Sequence, residues 1–278
     1  MTRVRPAAVA GLFYPRDPDR LAAAVAEALD VPVRADEPAP KAVVVPHAGY
    51  VYSGPTAGVA YARVRRLRGQ VTRVVLLGPA HRAWVEGLAV SGADAFATPL
   101  GTVPVDDVLR RRALACPGVV VDDRAHATEH SLEVQLPFLQ QALGAFAVLP
   151  VAVGEASPEM VATLLEAVWG GLETLVVVSS DLSHYLDYET AAARDRRTAT
   201  AIVAAESGAI ADDDACGARP VRGLLLAARR HGLRVRLLDL RSSGDTAGDH
   251  DRVVGYGAFA VSAEAPEPTV QTSRRTRS

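Results

Sequence analysis

The chain has 278 residues. Its 30 Lys and Arg residues and 32 Asp and Glu residues leave a net charge of −2 at pH 7. This charge gives no electrostatic reason to expect nucleic acid or an anionic membrane as a partner. Two cysteines are too few for a disulfide framework. Because the N-terminus has no signal-peptide pattern and no run approaches the ~20 apolar residues of a membrane helix, we expect a cytoplasmic protein with reduced thiols.

Apolar runs alternate with helix-like segments along most of the chain. The predicted strands are 42–45, 74–77, short strands within 86–97, 146–151, 175–178, 234–240 and 253–261, and the predicted helices are 17–30, 56–68, 106–115, 129–143, 157–169, 189–206 and a last helix ending near 230. This alternation predicts a single-domain α/β sandwich over residues 1–261, built around one central sheet. Residues 262–278 lack an apolar pattern and are predicted to be a disordered tail.

Two histidines directly follow predicted strands. His47 comes after strand 42–45, and His81 follows strand 74–77 across a βαβ unit. Because ligands bind at the carboxyl ends of strands in open α/β sheets, we expect the two imidazoles to converge on adjacent strand ends. Cys216, in the string DDACGARP, would complete a site for a divalent metal such as iron, copper or zinc. The alternative is a buried, apolar Cys216 thiol without a ligand role.

A third apolar run, 175–178, leads into SSDLSHY, which contains Asp181 and His184. An acid and an imidazole three residues apart past a buried strand can act as a proton-transfer pair. The alternative is that Asp181 caps the next turn and His184 is a satisfied neighbour of the site.

The string HATEH, residues 126–130, matches the H-x-x-E-H pattern of inverted zinc peptidases. That function requires both histidines on one helical face with Glu129 as the base. Thr128 is instead a predicted N-cap of a helix that begins at Glu129, which leaves His126 outside the helix. A peptidase is therefore disfavoured, although Glu129 and His130 could still reach the site. Serine hydrolysis is also disfavoured, since the chain has no G-x-S-x-G motif.

Six blocks in this order resemble the Memo family: PHAGYVYSG, LLGPAHR, EHSLEVQLPFLQ, SSDLSHY, a Cys-Gly with a following Pro, and SSGD followed by VVGYGAFA. In many prokaryotes this family is the protein B component of the AmmeMemoRadiSam system. The resemblance extends over residues 5–261. The family is similar in fold to the class III non-haem iron extradiol dioxygenases, which implies an α/β sandwich with a single pocket at the strand ends.

The resemblance implies roles for individual residues. It makes His47, His81 and Cys216 metal ligands, places His184 where the dioxygenases hold a general base with Asp181 beside it, and assigns Glu129, His130 and Tyr52 to the same pocket. The dioxygenases use two histidines and a carboxylate, so a cysteine in third place argues against extradiol ring cleavage. Thiolate donation favours copper or reduced iron over zinc as the single metal cofactor.

These features predict a metal-dependent redox enzyme that acts on a small molecule, with a radical-SAM protein as its partner. The alternative, implied by the signalling roles of eukaryotic Memo relatives, is a non-catalytic protein that uses the same pocket to bind a peptide or a metal. Fold alone does not decide between them.

Overall fold

The computed structural model describes residues 2–264, so most of the predicted tail, residues 265–278, lies outside the described residues. The strands within the described residues are β1 Val4–Arg5, β2 Ala42–Val45, β3 Arg73–Pro79, β4 Leu88–Val90, β5 Ala95–Thr98, β6 Gly101–Pro104, β7 Val119–Val121, β8 Ala147–Val153, β9 Thr174–Ser179, β10 His184–Leu186, β11 Arg234–Ser242 and β12 Val253–Ser262. All seven predicted strand regions are therefore confirmed, and β1, β6, β7 and β10 are additions.

Nine of these strands form one mixed sheet in the order β10-β12-β2-β9-β3-β8-β4-β7, with β11 paired to β12. Its centre is parallel, because β9 pairs in parallel with both β2 and β3, and β3 pairs in parallel with β8. A second sheet of β1, β5 and β6 lies apart from it. The central sheet is as predicted and the small sheet is an addition, because the β5–β6 hairpin pairs with the N-terminal β1 and not with the large sheet.

The helices cover both faces of the large sheet. Within the described residues they are α1 Pro18–Ala28, α2 Tyr50–Val64, α3 Asp107–Leu114, α4 Arg124–Ala127, α5 His130–Glu133, α6 Gln135–Leu143, α7 Pro158–Val168, α8 Tyr188–Val203 and α9 Ala218–Arg230. Val43 and Val45 of β2 belong to one hydrophobic core, and Ala42 and Val44 belong to the other. Because alternate strand residues point to opposite faces, one sheet supports two cores. The predicted α/β sandwich is confirmed.

No helix within residues 2–264 combines the length and the apolar character that crossing a membrane requires.

Helix α2 begins at Tyr50, six residues before the predicted start at 56. The prediction was wrong because Pro55 was treated as part of a loop, whereas it lies inside the helix. Proline removes the hydrogen bond to the carbonyl four residues earlier, which here belongs to Val51. Val51 is 68% exposed, so water can reach that carbonyl and the helix continues.

The predicted helix 129–143 is split into α5 and α6 at Val134. Pro137 cannot donate to the carbonyl of Glu133, which accounts for a break at this place. The N-cap of α5 is Glu129 and not the predicted Thr128. This one-residue difference brings the Glu129 carboxylate to the start of the helix.

Glu133, at the end of α5, anchors the N-terminal segment. Its fully buried carboxylate accepts hydrogen bonds from four donors: the Arg5 guanidinium, the backbone N–H groups of Ala8 (2.8 Å) and Val9 (3.0 Å), and the Tyr14 hydroxyl (2.5 Å). A buried carboxylate is tolerated only when it is paired and hydrogen-bonded in this way. The segment is thereby held against the helix that carries His130.

We expect Arg5→Met to lower the free energy of unfolding by ~3–5 kcal/mol, because it leaves the Glu133 charge buried without its cation. Urea unfolding followed by circular dichroism measures the loss. Arg34→Met is the matched control, since the Arg34–Asp36 pair is largely exposed and its removal should leave the unfolding midpoint unchanged. Equal midpoints for Arg5→Met and wild type would contradict a structural role of the buried pair.

Candidate metal centre

Three chemistry-bearing side chains each lie two residues past a parallel strand of the large sheet. His47 follows β2, His81 follows β3 and Asp181 follows β9. The strands that precede the two histidines were predicted to be adjacent. They are not, because β9 lies between β2 and β3. The two imidazoles still meet at this edge, with ring centroids 5.3 Å apart.

Cys216, in the loop before α9, completes the group. Its Sγ lies 3.2 Å from Nε2 of His47, and one donor atom from each of His47, His81 and Cys216 falls within 4.8 Å of the others. Donor atoms bound to one tetrahedral ion at ~2.0–2.3 Å lie roughly 3.3–3.6 Å apart. The predicted convergence of these three residues is therefore what the structure contains, and modest adjustment would bring them to coordination distances.

The position of Cys216 depends on the end of β9. The backbone N–H of Asp181 donates to Sγ of Cys216 at 3.3 Å, and the backbone N–H of Gly217 donates to Oγ of Ser180 at 2.9 Å. A Cβ atom at Gly217 would lie 2.6 Å from Cβ of Ser180. Only glycine after the cysteine permits this close approach, which explains the Cys-Gly pair in the sequence.

Hydrogen bonds fix the tautomer of His47. Its Nδ1 lies 2.9 Å from Oγ of Ser179, whose single proton is donated to the carbonyl of Ser131 at 2.6 Å. Oγ also accepts from Nε2 of Gln135 at 2.8 Å, and that amide is oriented by its second bond, to the carbonyl of Pro46. Oγ must therefore accept a proton from Nδ1. The Nε2 lone pair is left free and faces the thiol.

Glu129 fixes His81 in the same way. Oε1 lies 3.0 Å from Nδ1 of His81, and Oε2 accepts from the backbone N–H of His81 at 2.6 Å. A carboxylate only accepts, so Nδ1 carries the proton and Nε2 is free for a metal. Burial opposes ionisation of Glu129, but hydrogen bonds from His130 and His81 outweigh it and hold the pKa of the carboxyl well below its usual range.

Burial sets the protonation of the other donors. His47 is 2% exposed, and this burial lowers the pKa of its imidazole well below the ordinary 6.5, so the ring is neutral as a ligand must be. Burial raises the pKa of the Cys216 thiol, which a coordinated cation would deprotonate. Two imidazoles and one thiol form a donor set that fits iron, copper or zinc.

A cavity of about 440 Å³ opens beside this group. Its walls include Tyr52, His130, Asp181 and His184, which are four of the predicted site residues. Glu129 is 1% exposed and does not line this cavity, and neither do the three proposed metal ligands His47, His81 and Cys216. A second, smaller cavity of about 250 Å³ is lined by His81 and Cys216 and reaches these two proposed ligands directly.

Asp181 contacts the ligand loop more directly than was predicted. Its Oδ1 accepts from the backbone N–H of His47 at 2.7 Å, while its own N–H donates to the Cys216 thiol. The carboxylate is 4% exposed, and burial raises its pKa. Asp181 therefore connects the strand end after β2 to the loop before α9.

Two supporting residues carry no sequence signal of their own. Ser179 and Gln135 orient His47, yet serine and glutamine are ordinary in buried polar positions. The only pointer to them is that they lie within the blocks SSDLSHY and EHSLEVQLPFLQ. The Phe13 ring, 4.6 Å from the ring of His130, is a further wall residue that the sequence does not single out.

His126 does not belong to the site. It lies in α4 and is 1% exposed, and its Nε2 lies 3.0 Å from the carbonyl of Ala89. Because His126 and His130 lie in different helices, the inverted zinc-peptidase arrangement is not formed. The low weight given to a peptidase is consistent with this geometry.

The fold and the site together define an α/β sandwich protein with a candidate histidine–cysteine metal centre at the carboxyl ends of parallel strands. Residues 5–260 match the family described as Memo-like protein. The chain is 38% identical to a MEMO1 family protein of Aquifex aeolicus, over 91% of this chain and 97% of the relative. It is 35% identical to a MEMO1 family protein of Ignicoccus hospitalis, over 92% and 97% of the two chains. The chain belongs to the Memo family, as the sequence blocks indicated.

A solved structure supports the fold independently. An uncharacterized protein from Escherichia coli K12 superposes with a TM-score of 0.51 at 13% sequence identity. The match covers 77% of this chain and 98% of that chain. At this identity the similarity shows the fold alone.

We expect Ser179→Ala to weaken metal binding about 10- to 100-fold, because the variant loses the acceptor that holds Nδ1–H of His47. Competition with a chromogenic chelator measures the affinity. Ser53→Ala is the matched control, since it removes another buried hydroxyl, which donates to the carbonyl of Ala48 and contacts neither ligand. Unchanged affinity in Ser179→Ala would show that this hydrogen bond does not orient the ligand.

We expect His126 to make the protein less stable in acid. Burial lowers the pKa of its imidazole from 6.5 to about 4, so between these values the unfolded chain binds more protons than the folded one. Stability should therefore fall as the pH is lowered through this window, by up to ~3 kcal/mol from this group. His126→Gln keeps an N–H donor without a titration, and urea unfolding at about pH 7 and about pH 4 should show a shallower loss. An equally steep loss in the variant would be the contrary result.

Proposed function

We propose that the protein is a metal-dependent redox enzyme that acts on a small molecule and holds one iron or copper ion through His47, His81 and Cys216. The observation that carries the proposal is the pair of hydrogen bonds at Nδ1, from His47 to Ser179 and from His81 to Glu129, which leave the Nε2 atom of each imidazole for a metal beside the Cys216 thiol. Such pre-orientation is typical of histidines that bind a metal. The choice of iron or copper over zinc is supported by the resemblance to iron-dependent dioxygenases.

A bound iron or copper ion would supply one-electron chemistry beside the 440 Å³ cavity. The remaining tasks fall to the protein. His184 lines the cavity and, among the described residues, its imidazole nitrogens have no hydrogen-bond partner. We assign to it the transfer of a proton to or from a ligand in the cavity. Asp181 positions the His47 loop and the Cys216 thiol through its two hydrogen bonds.

We further propose that the protein works in the cytoplasm with a radical-SAM protein. The support is the resemblance of its ordered sequence blocks to protein B of the AmmeMemoRadiSam system. The competing proposal is a non-catalytic protein whose cavity holds a peptide or whose site holds a metal without turnover. The support for that alternative is a cavity of about 440 Å³, which is large enough to hold a ligand.

The test is the metal content of protein purified without oxygen, comparing wild type with Cys216→Ser and with the control Cys116→Ser, which changes the other cysteine. We expect about one iron or copper ion per chain in wild type and in Cys116→Ser, and a large loss in Cys216→Ser. The loaded wild type should consume oxygen or peroxide, and His184→Gln should slow that reaction without losing metal.

The outcomes separate the two proposals. Metal bound without any reaction with oxygen or peroxide would favour the binding protein. No metal in wild type, even after reconstitution, would overturn the assigned ligand set.

A further inference from the structure

One wall residue of the cavity has a strained backbone. Tyr185 has φ 60°, in the left-handed region, and the pairing of β10 with β12 shifts register between His184 and Leu186. This conformation is unfavourable for a bulky residue. The Tyr185 side chain is also 63% exposed, so packing within the protein does not offset the strain. Strain of this kind is concentrated at functional sites.

The cavity that Tyr185 borders is rich in aromatic side chains. The ring of Tyr185 lies edge-on to the His184 imidazole, with centroids 5.7 Å apart. Further rings come from Phe13, Tyr52 and Tyr256. Flat, polarisable walls of this kind favour a planar aromatic ligand, which can stack or pack edge-to-face against them.

Arg252 is the cation of the cavity. Its guanidinium carbon lies 5.1 Å from the centre of the Tyr185 ring, and no carboxylate in residues 2–264 lies within ion-pair distance of it. Asp249 also lines the cavity, but its Oδ1 accepts from backbone N–H groups, those of Asp251 and Arg252. The Asp181 carboxylate is engaged at the inner end. The Arg252 guanidinium therefore has its donors free for a ligand.

We propose that this cavity binds a small aromatic carboxylate, with its carboxylate on Arg252 and its ring against Tyr185. This deepens the proposed function and rests on it, because it names the substrate class of the same site. The planar fork of arginine matches a carboxylate through two parallel hydrogen bonds. A ligand held there would extend from the rim toward His184 and Asp181, which line the same cavity.

The experiment is calorimetric titration of benzoate into the full chain, once with its metal and once after chelation. We expect binding in both states, because Arg252 and Tyr185 do not contact the metal ligands. Benzamide, which lacks the charge, should bind about tenfold more weakly, and cyclohexanecarboxylate, which lacks the aromatic ring, about severalfold more weakly.

Two variants assign the contacts. Arg252→Gln should weaken benzoate about tenfold and leave benzamide nearly unchanged. Tyr185→Gly should also weaken benzoate, while its unfolding midpoint stays equal or rises because glycine accepts positive φ. Ala205→Gly is the matched control: Ala205 is the other non-glycine residue with positive φ in the described chain, at 54°, and it does not line the cavity. It should leave benzoate binding unchanged.

Each contrary result has a distinct meaning. Equal benzoate affinity in Arg252→Gln, or equal affinity for benzoate and benzamide, would overturn the anionic subsite. Equal affinity for cyclohexanecarboxylate would overturn the aromatic requirement. Benzoate binding that is lost on chelation but kept in Arg252→Gln would mean direct coordination to the metal, which overturns this proposal and leaves the metal centre standing.

Discussion

Two buried acceptors, Oγ of Ser179 and the carboxylate of Glu129, decide which nitrogen of each imidazole faces the candidate metal centre. Without them His47 and His81 would be two imidazoles at a sheet edge, with nothing to decide which nitrogen faces the site. Ser179 is held in turn by Ser131 and Gln135, so the orientation of His47 is determined two hydrogen bonds away from the ring. The chemistry available to the site depends on these polar contacts within an otherwise apolar interior.

The short helix α5 joins the site to the fold. Glu129 at its start accepts from two backbone N–H groups of the helix and from His81, so one carboxylate both caps the helix and orients a ligand. Glu133 at its end holds the N-terminal segment that brings Phe13 to the ring of His130. A substitution at either end of this one-turn helix would therefore change the positions of side chains in the site. Local structure and candidate function are inseparable here.

In contrast to the buried hydrogen bonds around the metal ligands, the wall of the cavity contains features that do not stabilise the fold. Tyr185 has an unfavourable backbone conformation and an exposed ring, and Arg252 lies over that ring with no carboxylate of residues 2–264 to pair with. Removing such features would cost a folded protein little stability, so they are useful only where a ligand needs them. The rigid side of the site, formed by strand ends and buried hydrogen bonds, would hold the metal. The strained side is built from β10 and the loop before β12, and is suited to contact a substrate.

The sequence by itself determined the apolar runs that become β2, β3 and β9 and the chemistry that follows each of them. It did so because a strand buried on both faces is a continuous apolar run, which can be recognised in the sequence without knowing the strands it pairs with. The ordered motifs were also enough to indicate the family. Helix boundaries were harder to predict near Pro55 and Pro137. Each proline lacks an N–H, and the sequence does not show whether the helix continues past it, as at Pro55, or breaks, as before Pro137.

Only the tertiary structure decided the rest of the site. It placed β9 between the strands of the two histidines, assigned β1, β5 and β6 to a second sheet, and excluded His126. It also revealed Ser179, whose bond to His47 joins positions 132 residues apart in the chain. Strand order, tautomer and cavity shape depend on contacts between distant segments, and no local pattern of residue types encodes them.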